Sequence, residues 1–395
     1  MSKFEFFSAP RIVFGRGQIA RLAELAAPLG RAALIVHGIP EETLARLTAQ
    51  LSSAGIRAVP LQQVGEPTVA DIDRALNTAR ANACDMALGI GGGSAIDAAK
   101  AAAGLLANGG TALDYMEVVG KGQKITKPAA PWIAIPCTAG TGAEVTRNAV
   151  IGYKGGGDGV KNFKASLRSE HLLPRIALID PELGVTVPPE VTASSGMDAL
   201  CQCIEAYTSS GANPMTDALA LEGVQRAARA LRRAYADGRD LDAREDMALA
   251  ALLSGIALTN AGLGAVHGFA APLGASFPVP HGTVCAALLP HVIAANVRAL
   301  RAANHATLAR YATIGRVMVN KEAGNPMSDD EAISAAITFT QALARDLRIP
   351  GLAQFGLTPA AIPAQVELAQ KSSSMRYNPI PLPRDVLQHI LTAAL

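Results

Sequence analysis

The chain has few cysteines and few charged side chains, and each shortage excludes a class of protein. Five cysteines spread over 395 residues form no even, closely spaced set, so we expect free thiols in a reducing compartment rather than a disulfide framework. Only 17% of the residues are charged, the net charge is +2, and no basic run alternates with aromatic side chains. These features argue against a nucleic-acid partner.

The sequence also lacks a signal-peptide pattern and any apolar run of membrane-spanning length. The first residues, MSKFEFFSAPRIVFG, show no charged start followed by an apolar run and a cleavage site. Elsewhere Gly, Pro or charged residues interrupt every apolar stretch. We therefore expect a cytoplasmic protein with no membrane partner. At roughly 100 to 200 residues per domain, the length predicts two domains.

Strand-like and helical patterns alternate through the first half of the chain. The expected strands are residues 32–36, 57–62, 86–90, 132–136 and 176–180, and the first helices are residues 40–54 and 68–82. This alternation is typical of a parallel sheet with crossover helices. From about residue 188 onward, long Ala- and Leu-rich segments have helical spacing instead. We expect an α/β N-terminal dinucleotide-binding domain with a parallel sheet in residues 1–185, and an all-α C-terminal helical domain in residues 186–395.

A glycine-rich loop follows one of these strands in LGIGGGSAIDAAK, residues 88–100. The strand runs into Gly91, Gly92 and Gly93, and Ser94 stands where the N-cap of a helix belongs. Glycines let the backbone approach a phosphate, and the start of a helix attracts its charge. The loop therefore favours a pyrophosphate site over an ordinary tight turn, although its spacing is not GxGxxG.

A second polar loop, PCTAGTGAEVT, follows the next strand at residues 136–146. Thr138 and Thr141 offer hydroxyl groups, and the glycines between and after them offer bare amides. Alone it is also compatible with a plain turn. Because parallel strands end at one edge of a sheet, we interpret it as the other side of the nucleotide site.

Four possible metal ligands occur in the second half of the chain. Asp198 and Gln202 in GMDALCQCIEAY lie four residues apart and so share one helix face. His267 in AVHGF and His281 in PHG could complete a set of oxygen and nitrogen donors for a divalent metal. Alternatively, the histidines are hydrogen-bonded core residues and Asp198 is a helix-start carboxylate.

The chain resembles the iron-containing, or group III, alcohol dehydrogenases. The resemblance rests on several motifs taken together: GGGSAIDAAK, PCTAGTGAEVT, GMDALCQCIEAY, NPMTDALAL and AVHGF followed by PHG. The resemblance implies an NAD(P)-dependent alcohol dehydrogenase or aldehyde reductase that transfers hydride between a nicotinamide cofactor and a small alcohol or carbonyl substrate. It also implies Fe²⁺ or Zn²⁺ in the helical domain and a homodimer or higher homo-oligomer.

The resemblance assigns roles to individual residues. The cofactor-binding positions it implies are Gly38, Gly91, Gly92, Gly93, Ser94, Thr138, Thr141 and Lys164. The metal positions it implies are Asp198, Gln202, His267 and His281, and we expect Asp198, His267 and His281 to be catalytic.

Three positions depart from the family pattern. Gln202 replaces a histidine ligand, and a neutral amide should weaken metal binding. Ala271 replaces a histidine that relays protons in many members, so protons must pass through other groups or water. Gly38 replaces an aspartate that repels a 2′-phosphate, so we predict that NADPH is tolerated without exclusion of NADH.

Two alternatives remain at this stage. One is a metal-independent enzyme of the maleylacetate reductase type, against which the retained Asp198 argues, because an uncompensated carboxylate would oppose a developing alkoxide. The other is a non-redox lyase on a dehydroquinate-synthase-like scaffold. Such lyases need clustered basic residues, which are scarce around residues 267–281.

Overall fold

The computed structural model describes residues 3–117, 120–153, 163–319 and 327–395. The chain divides into two units. The α/β unit consists of Phe7–Thr138 and Gly142–Val185. The helical unit consists of Thr186–Leu395, the loop tip Ala139–Thr141 and the residues before Phe7.

The α/β unit is built on a parallel sheet of six strands. In chain order the strands of this unit are β1 (Ile12–Phe14), β2 (Ala32–His37), β3 (Arg57–Gln62), β4 (Met86–Gly91), β5 (Trp132–Pro136), β6 (Asn148–Tyr153), β7 (Phe163–Arg168) and β8 (Ile176–Ile179). The sheet has the order β1-β8-β5-β4-β2-β3, and β6 pairs with β7 in a separate antiparallel hairpin. The predicted parallel sheet is confirmed.

Continuous apolar sequence explains why the central strands lie inside. Every residue of β2, β4, β5 and β8 is buried, as expected when both faces of a parallel sheet are covered. Alternate residues of β2 belong to different hydrophobic clusters, with Leu34 on one face and Ile35 on the other. The covering helices are α1 (Leu22–Ala26), α2 (Glu41–Ser53), α3 (Val69–Ala81), α4 (Gly93–Asn108) and α5 (Ala112–Tyr115).

A glycine in β4 brings α4 close to the sheet. A Cβ atom at Gly89 would lie 2.9 Å from the Cβ of Ala99 and 3.1 Å from the Cα of Ile96. Only glycine fits at this contact without a shift of the helix. The contact fixes the N-terminus of α4 at the end of β4.

Three features of this unit differ from the expectations. The strands β6 and β7, which pair as an antiparallel hairpin, were not among the expected strands. β1, which pairs with β8 with Ile12 opposite Ala177 and forms one edge of the sheet, was not among them either. The N-cap of α4 is Gly92 rather than Ser94, which lies inside the first turn.

The helical unit contains the long helices expected from the second half of the sequence. Its helices are α6 (Pro189–Thr208), α7 (Pro214–Ala236), α8 (Leu241–Ala261), α9 (Ala265–Ser276), α10 (His281–Ala302), α11 (Leu308–Val319), α12 (Asp329–Asp346), α13 (Ile362–Gln370) and α14 (Arg384–Ala393). The all-helical architecture is confirmed. α10 is long and apolar enough to cross a membrane, but most of it is buried in this unit, as in the core helix of a globular protein.

Small residues allow α6 to lie at the centre of this unit. A Cβ atom at Gly223 of α7 would lie 2.4 Å from the Sγ of Cys203, and one at Gly196 would lie 2.3 Å from a methyl group of Leu231. These contacts hold α6 and α7 close together. The segment of α6 that carries Asp198 and Gln202 is therefore buried on all sides.

Candidate active site and cofactor loops

One face of α6 presents three polar side chains in a buried environment. Asp198, Gln202 and Glu205 follow one another at intervals of four and three residues, which places them on one side of the helix. Their exposed fractions are 2%, 2% and 5%. Polar groups with so little access to water need partners inside the protein, and the neighbouring helices supply them.

Glu205 closes the N-terminal end of α9. The main-chain N–H of Val266 donates to its Oε1 at 2.7 Å, and the N–H of Ala265 donates to Asn378 Oδ1 at 3.1 Å. The first amides of a helix have no partner within the helix, and a carboxylate there is favourable. A Cβ atom at Gly264 would lie only 2.8 Å from Glu205 Oε1, so glycine permits this approach.

His267 is held between two carboxylates. Its Nδ1 lies 2.7 Å from Glu205 Oε2, and its Nε2 lies 3.2 Å from Asp198 Oδ1. Glu205 Oε2 can only accept when ionised, so this contact assigns the Nδ1 proton to His267. The Nε2 atom then faces Asp198, and the ring cannot turn without losing both contacts.

His281, the first residue of α10, joins the same cluster. Its Nε2 lies 3.6 Å from Asp198 Oδ1, and its ring centroid is 5.5 Å from that of His267. The side chain of His281 is 36% exposed, whereas those of His267 and Asp198 are 7% and 2% exposed. The structure thus brings together Asp198, His267 and His281, and the cluster opens toward solvent on the His281 side.

Gln202 has both ends of its amide engaged. Its Nε2 donates to Asp198 Oδ2 at 3.1 Å, and its Oε1 accepts from the hydroxyl of Ser254 at 2.9 Å. Reversing the amide would place its oxygen against the Asp198 carboxylate, two acceptors facing each other, which is unfavourable. The oxygen that was expected to face a metal therefore faces Ser254.

Cys285, which was expected only to be a free thiol, completes the cluster. Its Sγ lies 3.7 Å from Nε2 of His267 and 3.7 Å from Nε2 of His281. The donor atoms of Asp198, His267, His281 and Cys285 all lie within 4.8 Å of one another. The sequence contained a signal for it, because Cys285 follows His281 by one helical turn in HGTVC.

The charges in this cluster depend on one another. Burial opposes protonation of His267, but negative charge on the Cys285 sulfur and the hydrogen bonds to Asp198 and Glu205 outweigh burial and raise the pKa of His267 well above its usual range. Burial likewise disfavours ionised Asp198, yet His281 and His267 hold the pKa of that carboxyl below its ordinary value. Burial meanwhile raises the pKa of the Cys285 thiol, so the proton that the cluster holds is shared between neighbouring groups. A divalent cation bound here would displace protons from these groups.

The donor set fits a divalent metal. One carboxylate, two imidazoles and one thiol converge, with backing hydrogen bonds from Glu205 and Gln202 and with one open side. Ala271 lies one turn beyond His267 on α9, so no imidazole is present at that position. The sequence itself therefore shows that this position has no histidine to relay protons.

The glycine loop has the backbone geometry of a cradle. β4 ends at Gly91, whose φ of +144° favours glycine, and α4 begins at Gly93. A Cβ atom at Gly91 would lie 3.0 Å from the main-chain N of Gly38, which itself donates to Ile90 O at 2.9 Å. The ends of β2 and β4 thus lie side by side in front of the N-terminus of α4, where a phosphate would find main-chain amides.

The second loop lies beside the first. The N–H of Cys137 donates to Gly91 O at 2.8 Å, and a Cβ atom at Gly92 would meet the Oγ1 of Thr138 at 3.4 Å. Further along, the loop packs against α6, because a Cβ atom at Gly140 would lie 2.8 Å from that of Ser195. Thr138 thus belongs to the α/β unit and Thr141 to the helical unit.

Lys164 and Gly38 are the remaining predicted cofactor residues of the α/β unit. Lys164 in β7 forms an ion pair with Glu66, just before α3, and its side chain is 12% exposed. His37, at the end of β2, is buried rather than on the surface, and burial lowers its pKa. A neutral, buried imidazole is a poor partner for a 2′-phosphate, so Gly38 alone carries the predicted tolerance of NADPH.

Comparisons with known proteins cover nearly the whole chain. Two family models match, "Iron-containing alcohol dehydrogenase" over residues 9–181 and "Fe-containing alcohol dehydrogenase family, C-terminal" over residues 192–395. The chain is 37% identical over 362 residues to lactaldehyde reductase of Escherichia coli K12, covering 90% of each. It is 33% identical over 400 residues to NAD-dependent methanol dehydrogenase of Bacillus methanolicus, covering 98% of this chain and 99% of the other. The crystal structure of a 1,3-propanediol oxidoreductase matches with a TM-score of 0.90 and 32% identity over 100% of both chains.

Proposed function

The chain belongs to the iron-containing alcohol dehydrogenase family, and on this premise we propose that Asp198, His267 and His281 form the substrate site. The glycine loop and the second loop then bind the nicotinamide cofactor. The protein is an NAD(P)-dependent oxidoreductase acting on CH–OH groups, which interconverts an alcohol and its aldehyde or ketone. These relatives do not favour the lyase or the metal-independent alternative.

The observation that supports this assignment is the way His267 is fixed between Glu205 and Asp198. A side chain that orients an imidazole through Nδ1 and leaves Nε2 facing a second acidic group is typical of metal-assisted sites. The family uses a divalent metal, and when bound here it would act as a Lewis acid on the carbonyl oxygen. Glu205 would hold the ring, and Gln202 would hold the Asp198 carboxylate through Oδ2.

The cofactor loops contribute binding rather than chemistry. Gly91 and Gly92 keep side chains away from the main chain at the start of α4, where the amides and the helix dipole favour the pyrophosphate. Thr138, beside Gly92, offers a hydroxyl group from the neighbouring strand end. We assign Gly38, Gly91, Gly92, Gly93, Ser94, Thr138, Thr141 and Lys164 to this site.

Oxidation of NADPH and NADH, followed by absorbance with a panel of short aldehydes, tests the proposal. We expect turnover that is lost in Asp198→Asn, because the amide removes the negative charge at the centre of the cluster, and turnover that falls on chelation and returns with Zn²⁺ or Fe²⁺. An exposed substitution in the same unit, Asp330→Asn, serves as the control. If neither cofactor is oxidised with any carbonyl compound, the proposed function is wrong.

We also propose a cytoplasmic location and a homodimer or higher homo-oligomer. All five cysteines are free, which suits a reducing compartment. Light scattering coupled to size-exclusion chromatography checks the assembly, and a monomer at working concentration would contradict it.

A further inference from the structure

We propose that Cys285, and not Gln202, supplies the fourth protein ligand of the metal site, so that the metal is bound by Asp198, His267, His281 and the Cys285 thiolate. The inference rests on the proposed function only in taking this cluster as the metal site. It replaces the oxygen–nitrogen ligand set expected from the sequence with one that contains sulfur.

Four of the six distances between the donor atoms are close to those of a tetrahedral site, and all six lie within 4.8 Å. Metal–nitrogen and metal–oxygen bonds of about 2.0–2.1 Å and a metal–sulfur bond of about 2.3 Å give edges of about 3.3–3.4 Å between nitrogen or oxygen donors and about 3.6 Å between sulfur and nitrogen. The observed O–N distances from Asp198 are 3.2 and 3.6 Å. The observed S–N distances from Cys285 are both 3.7 Å. The cluster therefore needs only small movements to surround one ion.

The fold places Cys285 for this role. It follows His281 by four residues on α10, so both side chains project from one face of the helix. Cys285 is fully buried, and its sulfur contacts the two imidazole nitrogens that would also bind the ion. Cys203, by comparison, packs against Gly223 and lies 4.0 Å from a main-chain carbonyl oxygen, as a packing residue would.

The hydrogen bonds of Gln202 argue against it as a metal ligand. Turning its oxygen toward the cluster would break the contact with Ser254 and place an acceptor against Asp198 Oδ2. In its present orientation it instead donates to Asp198 and leaves Oδ1 facing the histidines. Gln202 thus supports a ligand in the way that Glu205 supports His267.

The sulfur ligand predicts which metal the site prefers. Thiolate is a soft donor that favours Zn²⁺, and tetrahedral sites with mixed sulfur and nitrogen donors are typical of zinc. We therefore expect Zn²⁺, or Co²⁺ as its spectroscopic substitute, to be retained more tightly than Fe²⁺.

The test measures metal coordination directly. Protein stripped with a chelator and reloaded with Co²⁺ should show a near-ultraviolet thiolate-to-cobalt charge-transfer band at one ion per chain. The band should disappear in Cys285→Ser and persist in Gln202→Ala, and it should also persist in Cys84→Ser, a buried cysteine of the other unit. X-ray absorption of the Zn²⁺-loaded wild-type protein should show one sulfur at about 2.3 Å, which requires no variant to fold.

Each outcome bears on the assignment. Stoichiometric Co²⁺ without the band, a band that survives Cys285→Ser, a zinc shell without sulfur, or no metal binding at all would overturn it. The turnover assay with aldehydes is independent of these readouts. A protein that reduces aldehydes but lacks metal–sulfur coordination would refute the ligand and leave the proposed function standing.

Discussion

Replacing Glu144 with glutamine should remove a loss of stability that the α/β unit otherwise shows as the pH rises. Glu144 lies in the short 3₁₀ turn Ala143–Val145 near the end of the second cofactor loop, and it is only 2% exposed. Burial raises its pKa to about 7, since a hydrogen bond within its own residue and the charge of Lys100 offset burial only in part. The Lys100 ammonium is already engaged, 2.8 Å from Thr146 Oγ1 and 2.6 Å from the carbonyl oxygen of Asn148.

The direction of the effect follows from comparing the folded and unfolded states. An unfolded glutamic acid has a pKa of 4.5, so between that pH and about 7 the folded protein holds a proton that the unfolded chain has lost. The stabilisation from Glu144 is complete below pH 4.5 and is lost as the pH rises through 7. For these two pKa values the free energy of unfolding falls by about 2 to 3 kcal/mol between pH 5 and pH 8.

The single tryptophan makes this change measurable in the correct unit. Trp132 lies in β5, is 1% exposed and donates to Leu172 O at 3.1 Å, so its fluorescence reports unfolding of the α/β unit. Between pH 5 and pH 8, the free energy of unfolding measured with urea should fall by about 2 to 3 kcal/mol more in the wild type than in Glu144→Gln. The exposed substitution Glu42→Gln is the control. Identical pH dependence in wild type and Glu144→Gln would refute the reasoning.

Three further predictions concern the site and the loops. Glu205→Gln should lower Zn²⁺ affinity and turnover by about 10- to 100-fold, because an amide cannot accept from both the imidazole and the α9 amides; a competition titration that gives the wild-type affinity would contradict this. Gly92→Ala, whose new Cβ would meet Thr138 Oγ1 at an ordinary 3.4 Å, should melt like the wild type but bind NADH about 10-fold more weakly by fluorescence titration. Unchanged affinity would place the pyrophosphate elsewhere. Gly38→Asp should shift the ratio of kcat/KM values from NADPH toward NADH, and a constant ratio would remove Gly38 from cofactor selection.

The fold could be predicted where one physical signal dominates. The runs that became β2, β4, β5 and β8 are apolar along their whole length, which is what a strand covered on both faces requires. The β6–β7 hairpin lacked such a signal, since its burial is mixed and its pairing depends on tertiary contacts. Ser94 has the right residue type for an N-cap, but the observed N-cap is Gly92, so α4 starts two residues earlier than Ser94 would place it.

Only part of the candidate site could be predicted, because some of its features follow from local helix spacing and others depend on residues far away in the chain. Asp198 and Gln202 share a helix face, a local rule that the sequence displays. The orientation of the Gln202 amide depends instead on Ser254, which lies 52 residues further along the chain. The role of Glu205 depends on the start of α9, 61 residues away. Cys285, like Gln202, could be found by a local rule, through its spacing of four residues from His281.

The strand β1 has a consequence for how the protein is made. It is the first strand in the chain, yet its hydrogen-bonding partner β8 begins at Ile176, so Val13 cannot meet Leu178 until most of the α/β unit has been synthesised. At about 5–20 residues per second, translation leaves this edge of the sheet unformed for roughly ten to thirty seconds. β5 ends at Pro136, so once it has been made its outer edge stays exposed on the nascent chain for roughly two to eight seconds until β8 follows, open to pairing with another chain. Yield during expression should therefore respond to the speed of translation before residue 176 as well as to the stability of the finished fold.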